Sequence, residues 1–266
     1  MKILISNDDG VQNPAIWSLV RTLKPLGEIV VVAPDRNRSG VGTGLTLNEP
    51  IRVSKWPSEV DGVDAWAVEG GTPGDSVISG LRHVTNGDVD AVVTGYNPGN
   101  NVSIDLLVSG TVGGALQGYL NGYRTMATSV ALAEHAEDPV VQEVTRAAVR
   151  AMLEKAKAPS LYNLNFPRRL SREPLKGVRK TVSSPRLVMD HLEPTTDEQG
   201  RDAFWVVRRA GMFTEAPDLP EDCDIRALRD GYVSLASLRW NLTPNEDDSD
   251  IDGIVAAAAK ALSGVR

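Results

Sequence analysis

The chain has 266 residues, with 28 Lys and Arg against 35 Asp and Glu, a net charge of −7, and 41% hydrophobic residues. Those proportions belong to an ordinary folded protein and exclude collagen-like and wholly disordered chains. The acidic excess argues against a protein built to bind duplex nucleic acid, which calls for a basic surface. A small anionic ligand would have its charge met by a metal ion or by backbone dipoles. The one cysteine, Cys223, leaves no intrachain disulfide and no cysteine-based zinc cluster. No run approaches the roughly 18 apolar residues of a membrane span. The apolar stretch after Lys2 is too short for a signal-peptide core. The expected location is the cytoplasm, with no membrane partner.

Residues 2–6 (KILIS) are a short apolar run that stops at Asn7-Asp8-Asp9-Gly10. Ile16, Leu19, Val20, Leu23 and Leu26 then recur at helical spacing, Gly27 closes the segment, and 28–33 (EIVVVA) is a second apolar run. Strand, helix and strand in such quick succession predict a βαβ unit on a parallel sheet. A helix-like stretch near 74–85 precedes a buried strand at 90–94, and 111–122 and 125–131 read as the next helix and strand. Residues 1–132 therefore predict a doubly wound α/β core. A helix is expected over 139–157, through Val140, Val144, Ala148, Met152 and Leu153, and a strand over 161–166. Residues 171–222 are richer in Pro, Arg and acidic residues, with apolar pieces at 186–189 and 203–207, and read as strands leaving the core. A last strand at 231–236 and a short helix at 254–262 close the chain. Asp247, Asp248, Ser249, Asp250 and Asp252 lie where acidic groups suit a helix N-terminus. The expected organisation is a core of residues 1–170, continuous with an extension of residues 171–266.

In an open parallel sheet, ligands bind beyond the carboxyl ends of the strands. Asp8 and Asp9 follow the first strand, Ser39 lies a few residues beyond the second, and Asn97 follows the strand at 90–94. Two carboxylates, a hydroxyl and an amide suit a hard divalent ion such as Mg²⁺ or Mn²⁺. The plain alternative is a turn, which Asn, Asp and Gly favour in any case. Ser109-Gly110-Thr111, at an expected helix start, reads either as a phosphate cradle of free N–H groups or as an ordinary N-cap. Neither a Walker A lysine nor a Gly-x-Ser-x-Gly elbow accompanies it. His83, His135 and His191 show no metal-ligand spacing.

Met1-Lys-Ile-Leu-Ile-Ser-Asn-Asp-Asp-Gly10 followed by Ala33-Pro-Asp-Arg-Asn-Arg-Ser-Gly40 resembles the opening of the SurE family, metal-dependent 5′-nucleotidases also called survival protein E. The likeness continues in Leu45-Thr-Leu47, Gly71-Thr-Pro-Gly-Asp-Ser76, Thr94-Gly-Tyr-Asn-Pro-Gly-Asn-Asn101 and Ser109-Gly-Thr-Val-Gly113. It extends to Asn163-Leu-Asn-Phe-Pro167 and Gly231-Tyr-Val-Ser-Leu235, in order along nearly the whole chain. Ala15, Val102, Cys223 and Ser237 depart from the family's usual residues, and none of them is an expected ligand.

The resemblance implies a Rossmann-like, doubly wound and mostly parallel sheet with a β-hairpin extension and a C-terminal oligomerisation segment. It implies one divalent metal ion per subunit, Mg²⁺ or Mn²⁺, held by Asp8, Asp9, Ser39 and Asn97. It also implies that Asn101, Ser109, Gly110 and Thr111 surround the phosphate. The implied reaction is hydrolysis of nucleoside 5′-monophosphates by a metal-held water, with Asp8 expected to orient or deprotonate that water. The implied assembly is a homodimer or homotetramer. Apolar residues of the extension (Leu187, Val188, Phe204, Trp205, Val206, Val233, Leu235) are expected to be covered by a partner subunit. Two rival readings stand beside this one. A haloacid-dehalogenase-type phosphatase would require Asp-x-Asp, whereas Asp8 and Asp9 are adjacent. A non-catalytic nucleotide or metal sensor would use the same pocket.

Overall fold

Ile3 and Ile5 of the first strand, β1 (Lys2–Ser6), point to one side of a sheet and Leu4 to the other, and all three are fully buried. Burial on both faces is what a parallel sheet clad in helices requires. The computed structural model describes residues 1–168, 174–184, 190–208, 219–241 and 249–263. After β1 come β2 (Glu28–Pro34), β3 (Arg52–Trp56), β4 (Asp64–Glu69), β5 (Ala91–Pro98), β6 (Arg124–Val130) and β7 (Ser160–Asn165). They are followed by β8 (Val178–Thr181), β9 (Asp190–Thr196), β10 (Asp202–Arg208) and β11 (Val233–Ser237). Among the described residues nine strands form one sheet in the order β3-β4-β2-β1-β5-β6-β7-β11-β8, and β9 pairs with β10 in a separate two-stranded sheet.

β4, β2, β1, β5, β6 and β7 run parallel; β3 and β11 are antiparallel to their neighbours β4 and β7. The helices are α1 (Pro14–Leu23), α2 (Pro73–Ser79), α3 (Gly110–Leu120), α4 (Pro139–Lys155), α5 (Asp224–Arg229) and α6 (Ser249–Ser263). Ile16, Leu19 and Leu23 of α1 pack with Val141, Val149 and Met152 of α4 against Ile3 and Ile5. On the opposite face Val77 of α2 packs against Leu4, Val32 and Val92. The result is a mostly parallel α/β sheet with helices on both sides, as the strand and helix pattern predicts.

Three strands depart from the sequence reading: β8 joins the main sheet beside β11, although residues 171–222 read as strands leaving the core, and β3 and β4 escape that reading. β3 is only half buried along its length, and β4 begins and ends on exposed acidic residues, so neither shows the continuous apolar run that marks β1 and β2. The terminal helix begins at Ser249, ahead of the expected 254. The expected apolar piece at 186–189 and the acidic residues Asp247 and Asp248 lie outside the described residues, whereas 203–207 falls within β10. The expectation of partner-covered apolar residues needs correction at two positions. Val233 is fully buried and Leu235 packs against the same core, because β11 is an interior strand between β7 and β8.

From β1 the chain winds through β2 to β4 on one side, and from β5 through β6 to β7 on the other. The winding direction reverses between β1 and β5, which opens a crevice at their carboxyl ends.

Candidate active site

The polar groups that end β1 fold into a turn held from within. The Asn7 amide accepts from the Gly10 N–H at 3.1 Å and donates to the Gly10 carbonyl at 3.0 Å. The loop after β2 is fastened to the same place, since the Arg38 N–H donates to the Asp8 carbonyl at 2.6 Å. That bond carries Ser39 to the end of β1.

Asn97 arrives by a different device. Thr94 pairs with Ala127 and Asn97 with Ser129, so Gly95 and Tyr96 together oppose Thr128 alone. This extra residue is a β-bulge, which turns the strand and re-aims the side chains beyond it. Gly95 sits at φ +121°, where a Cβ would lie 2.2 Å from the Thr128 carbonyl oxygen, so only glycine fits. The Asn97 amide nitrogen donates to the Gly99 carbonyl at 2.6 Å, which leaves its oxygen as the free acceptor.

Asp8, Ser39, Asn97, Asn101 and Ser109 share one cleft of about 510 Å³. Asp9, Gly110 and Thr111 are not among the residues that line it. Ser109 caps α3, accepting the Val112 N–H at 3.0 Å. As a hydroxyl it retains its own proton for a donor interaction with whatever fills the cleft. The N–H groups of Gly110 and Thr111, expected to face phosphate, also lie near enough to the Asp8 carboxylate to favour its charged form. Thr111 adds its hydroxyl, 2.5 Å from Asp8 Oδ1. Gly110 permits this, because a Cβ there would lie 2.7 Å from the Asp8 Cβ and 3.0 Å from Oδ2. The helix start thus stabilises a carboxylate of the protein itself, the charge that a helix N-terminus favours.

Burial nevertheless pushes Asp8 above the usual carboxylate range, opposed by the bonds from Thr111 and Gly110. Burial, and then the charge of Asp8, push Asp9 up to about 7. Its Oδ1 accepts from the Asn37 amide at 3.1 Å, and its Oδ2 is buried with no hydrogen-bond partner. A buried unpartnered carboxylate oxygen beside a second carboxylate leaves negative charge uncompensated. A hard divalent cation would supply what is lacking, and the oxygen donors that Asp8, Asp9, Ser39 and Asn97 carry are of the kind such an ion takes.

Several residues beyond the expected ligands and phosphate contacts build the site. Asn37 ties the Asp9 carboxylate to the loop, since its own oxygen accepts the Ser39 N–H at 2.9 Å. Asn163 and Asn165 of β7 donate to the Asn101 carbonyl at 2.8 and 3.1 Å, and Asn165 accepts the Asn101 N–H at 2.9 Å. The Asn101 side chain in turn donates to Ser129 at 2.9 Å. Asp224, almost wholly buried, accepts the N–H groups of Ser103 and Ser184, each at 2.9 Å, and that of Ile225 at 2.7 Å. It thereby holds Ser103 in a left-handed conformation at φ +54°, two residues beyond Asn101.

Residues 3–189 match the family model described as survival protein SurE. The chain is 38% identical to a 5′-nucleotidase SurE of Dehalococcoides mccartyi over 97% of each chain. It is 36% identical to a 5′/3′-nucleotidase SurE of Cronobacter sakazakii, over 91% of this chain and 92% of that one. The crystal structure of the SurE protein from Aquifex aeolicus aligns with 91% of this chain and 95% of its own, with a TM-score of 0.72 at 32% identity. With the family model spanning most of the sequence and relatives alike from end to end, this chain belongs to the survival protein SurE family.

Proposed function

We propose that the chain hydrolyses nucleoside 5′-monophosphates to nucleoside and phosphate, as a nucleotide phosphomonoesterase of the 5′-nucleotidase type. The names of its relatives, 5′-nucleotidase and 5′/3′-nucleotidase, support that activity over a sensor or a phospho-aspartyl phosphatase. The observation that carries the site assignment is the unpartnered, buried Oδ2 of Asp9 beside Asp8 at the sheet's switch point. Asp8, Asp9, Ser39 and Asn97 are the residues that hold one divalent ion per subunit, Mg²⁺ or Mn²⁺. When bound, such an ion supplies Lewis-acid polarisation of the phosphoryl group and lowers the pKa of water beside it.

The chain's own groups do the rest. Thr111 fixes the Asp8 carboxylate through Oδ1, and Asp8 takes the proton of the attacking water. Asn101 and Ser109 line the cleft and donate to the phosphoryl oxygens as charge grows on them. Gly110 and Thr111 serve catalysis through Asp8, keeping its carboxylate oriented.

The homodimer or homotetramer is part of the same proposal, and the cytoplasm is its setting. No helix among the described residues is long and apolar enough to cross a membrane. Phe204 and Trp205 are 60% and 67% exposed, and Ile251, Ile254 and Val255 of α6 are also exposed. Such surface suits a partner subunit.

Phosphate release from a panel of nucleoside 5′- and 3′-monophosphates, before and after EDTA and with Mn²⁺ or Mg²⁺ restored, tests the reading. Activity should vanish in EDTA and return with the ion. Full activity after exhaustive chelation would overturn the metal assignment, and no release from any nucleotide would overturn the reaction. A monomeric mass by light scattering at micromolar concentration would remove the oligomer.

A further inference from the structure

Most of the residues that line the cleft beyond Asp8 are polar, but Val108 and Val206 line it too and give it apolar surface. Val108 sits at the end of the helical turn before Ser109, within the catalytic core. Val206 comes from elsewhere, the middle of β10 in the two-stranded hairpin. It is 73% exposed, and its cross-strand neighbour Leu192 is 61% exposed. Neither is covered by the chain's own core. Successive side chains of a strand alternate between faces, so Phe204 and Val206 share one face and Trp205 takes the other. Val206 lines the cleft, and Trp205 on the other face remains for a partner.

A nucleoside monophosphate divides chemically in the same way as this cleft. Its phosphate and ribose are polar and bond to oxygen and nitrogen donors, while its base offers flat apolar faces. On the reading that this chain is a nucleotidase, we propose that Val206 of the hairpin forms the apolar wall against which the substrate's base packs, opposite Val108. The hairpin then acts as a specificity element, separating nucleotides from phosphomonoesters that lack a base. Its contribution is to substrate binding, and the phosphoryl transfer itself is left to the groups at the ends of β1 and β5.

The test compares adenosine 5′-monophosphate with ribose 5-phosphate, which keeps the phosphate and sugar and lacks the base. Val206→Ser removes apolar surface without adding charge, and Val206→Tyr enlarges the stacking surface. Val206→Ser should raise KM for adenosine 5′-monophosphate by about tenfold, the scale of a lost apolar pocket contact, and leave ribose 5-phosphate kinetics unchanged. Val206→Tyr should lower KM for the nucleotide alone. Equal effects on both substrates, or a change in oligomeric mass, would make Val206 an assembly residue and overturn the proposal. Unchanged KM for the nucleotide in both variants would overturn it as well. Failure of the unmodified protein on both substrates would instead strike the nucleotidase reading itself.

Discussion

The hydroxyl of Thr111 donates to Asp8 Oδ1 at 2.5 Å, joining the first turn of α3 to the end of β1. Two sequence motifs a hundred residues apart are therefore joined in the fold, and the helix start holds a carboxylate of the chain itself.

Replacing Thr111 with Val keeps the volume of a fully buried side chain and removes that one bond. A hydrogen bond to a charged group is worth about 1.5–3 kcal/mol, so kcat should fall by roughly ten- to a hundredfold. The loss should persist at saturating Mn²⁺, because the hydroxyl acts on Asp8 and not on the ion. Steady-state kinetics across a Mn²⁺ series check this, and recovery of wild-type kcat at high Mn²⁺ would refute it.

The two aspartates should fail differently. Asp9→Asn should weaken metal binding, with part of the lost activity returning at high Mn²⁺. Asp8→Asn should stay slow when the site is saturated, because general-base assistance is typically worth about 10²–10⁴-fold. Calorimetric Mn²⁺ affinities beside kcat separate the roles; rescue of Asp8→Asn to near wild-type rate would reverse the assignment.

Metal removal should change the pH dependence of stability. In the metal-free protein Asp9 is raised to about 7 and Asp8 is raised too, both chiefly by burial. An acid whose pKa is higher folded than unfolded lends stability that is complete below its unfolded value and is lost as pH rises through its folded one. For Asp9 that loss runs from the ordinary value of 3.8 to about 7. A cation held by the ionised pair offsets it. The rise in Tm on adding Mn²⁺ should therefore be larger at pH 8 than at pH 5, and thermal melts at the two pH values decide it. Equal rises would contradict the pairing of these carboxylates with the ion.

Gly95→Ala should damage both fold and site. The new methyl group would meet the Thr128 carbonyl at 2.2 Å in a backbone conformation that side chains rarely adopt. Strain of that kind costs about 1–3 kcal/mol, and its relief would move Asn97, the next-but-one residue. Tm and Mn²⁺ affinity should fall together. A variant with wild-type Mn²⁺ affinity would show that the bulge does not place Asn97.

Much of this arrangement is legible in the residues alone. β1 and β2 announce themselves because burial on both faces demands unbroken apolar runs, and a polar residue at the end of such a run has few places to go but the crevice. Asp8 and Asn97 are visible for that reason. β3 and β4 are not, because an edge pair with one solvated face needs no such run. Asn37 looks like any loop asparagine, and nothing local tells Asn165 that its partner is Asn101. The direction of the Gly110 and Thr111 N–H groups is likewise unreadable, since the same helix start serves a bound anion and a neighbouring carboxylate equally well.

The hold of Asp224 on Ser103 has a consequence for how the chain can be divided. Asp224 belongs to the C-terminal stretch whose strands β11 and β8 extend the sheet past β7. The loop carrying Asn101 is thus clamped from residues the ribosome adds long after the loop itself has emerged. A chain halted before Asp224 could pair β1 through β7 and still lack the anchor that fixes Ser103, two residues beyond Asn101.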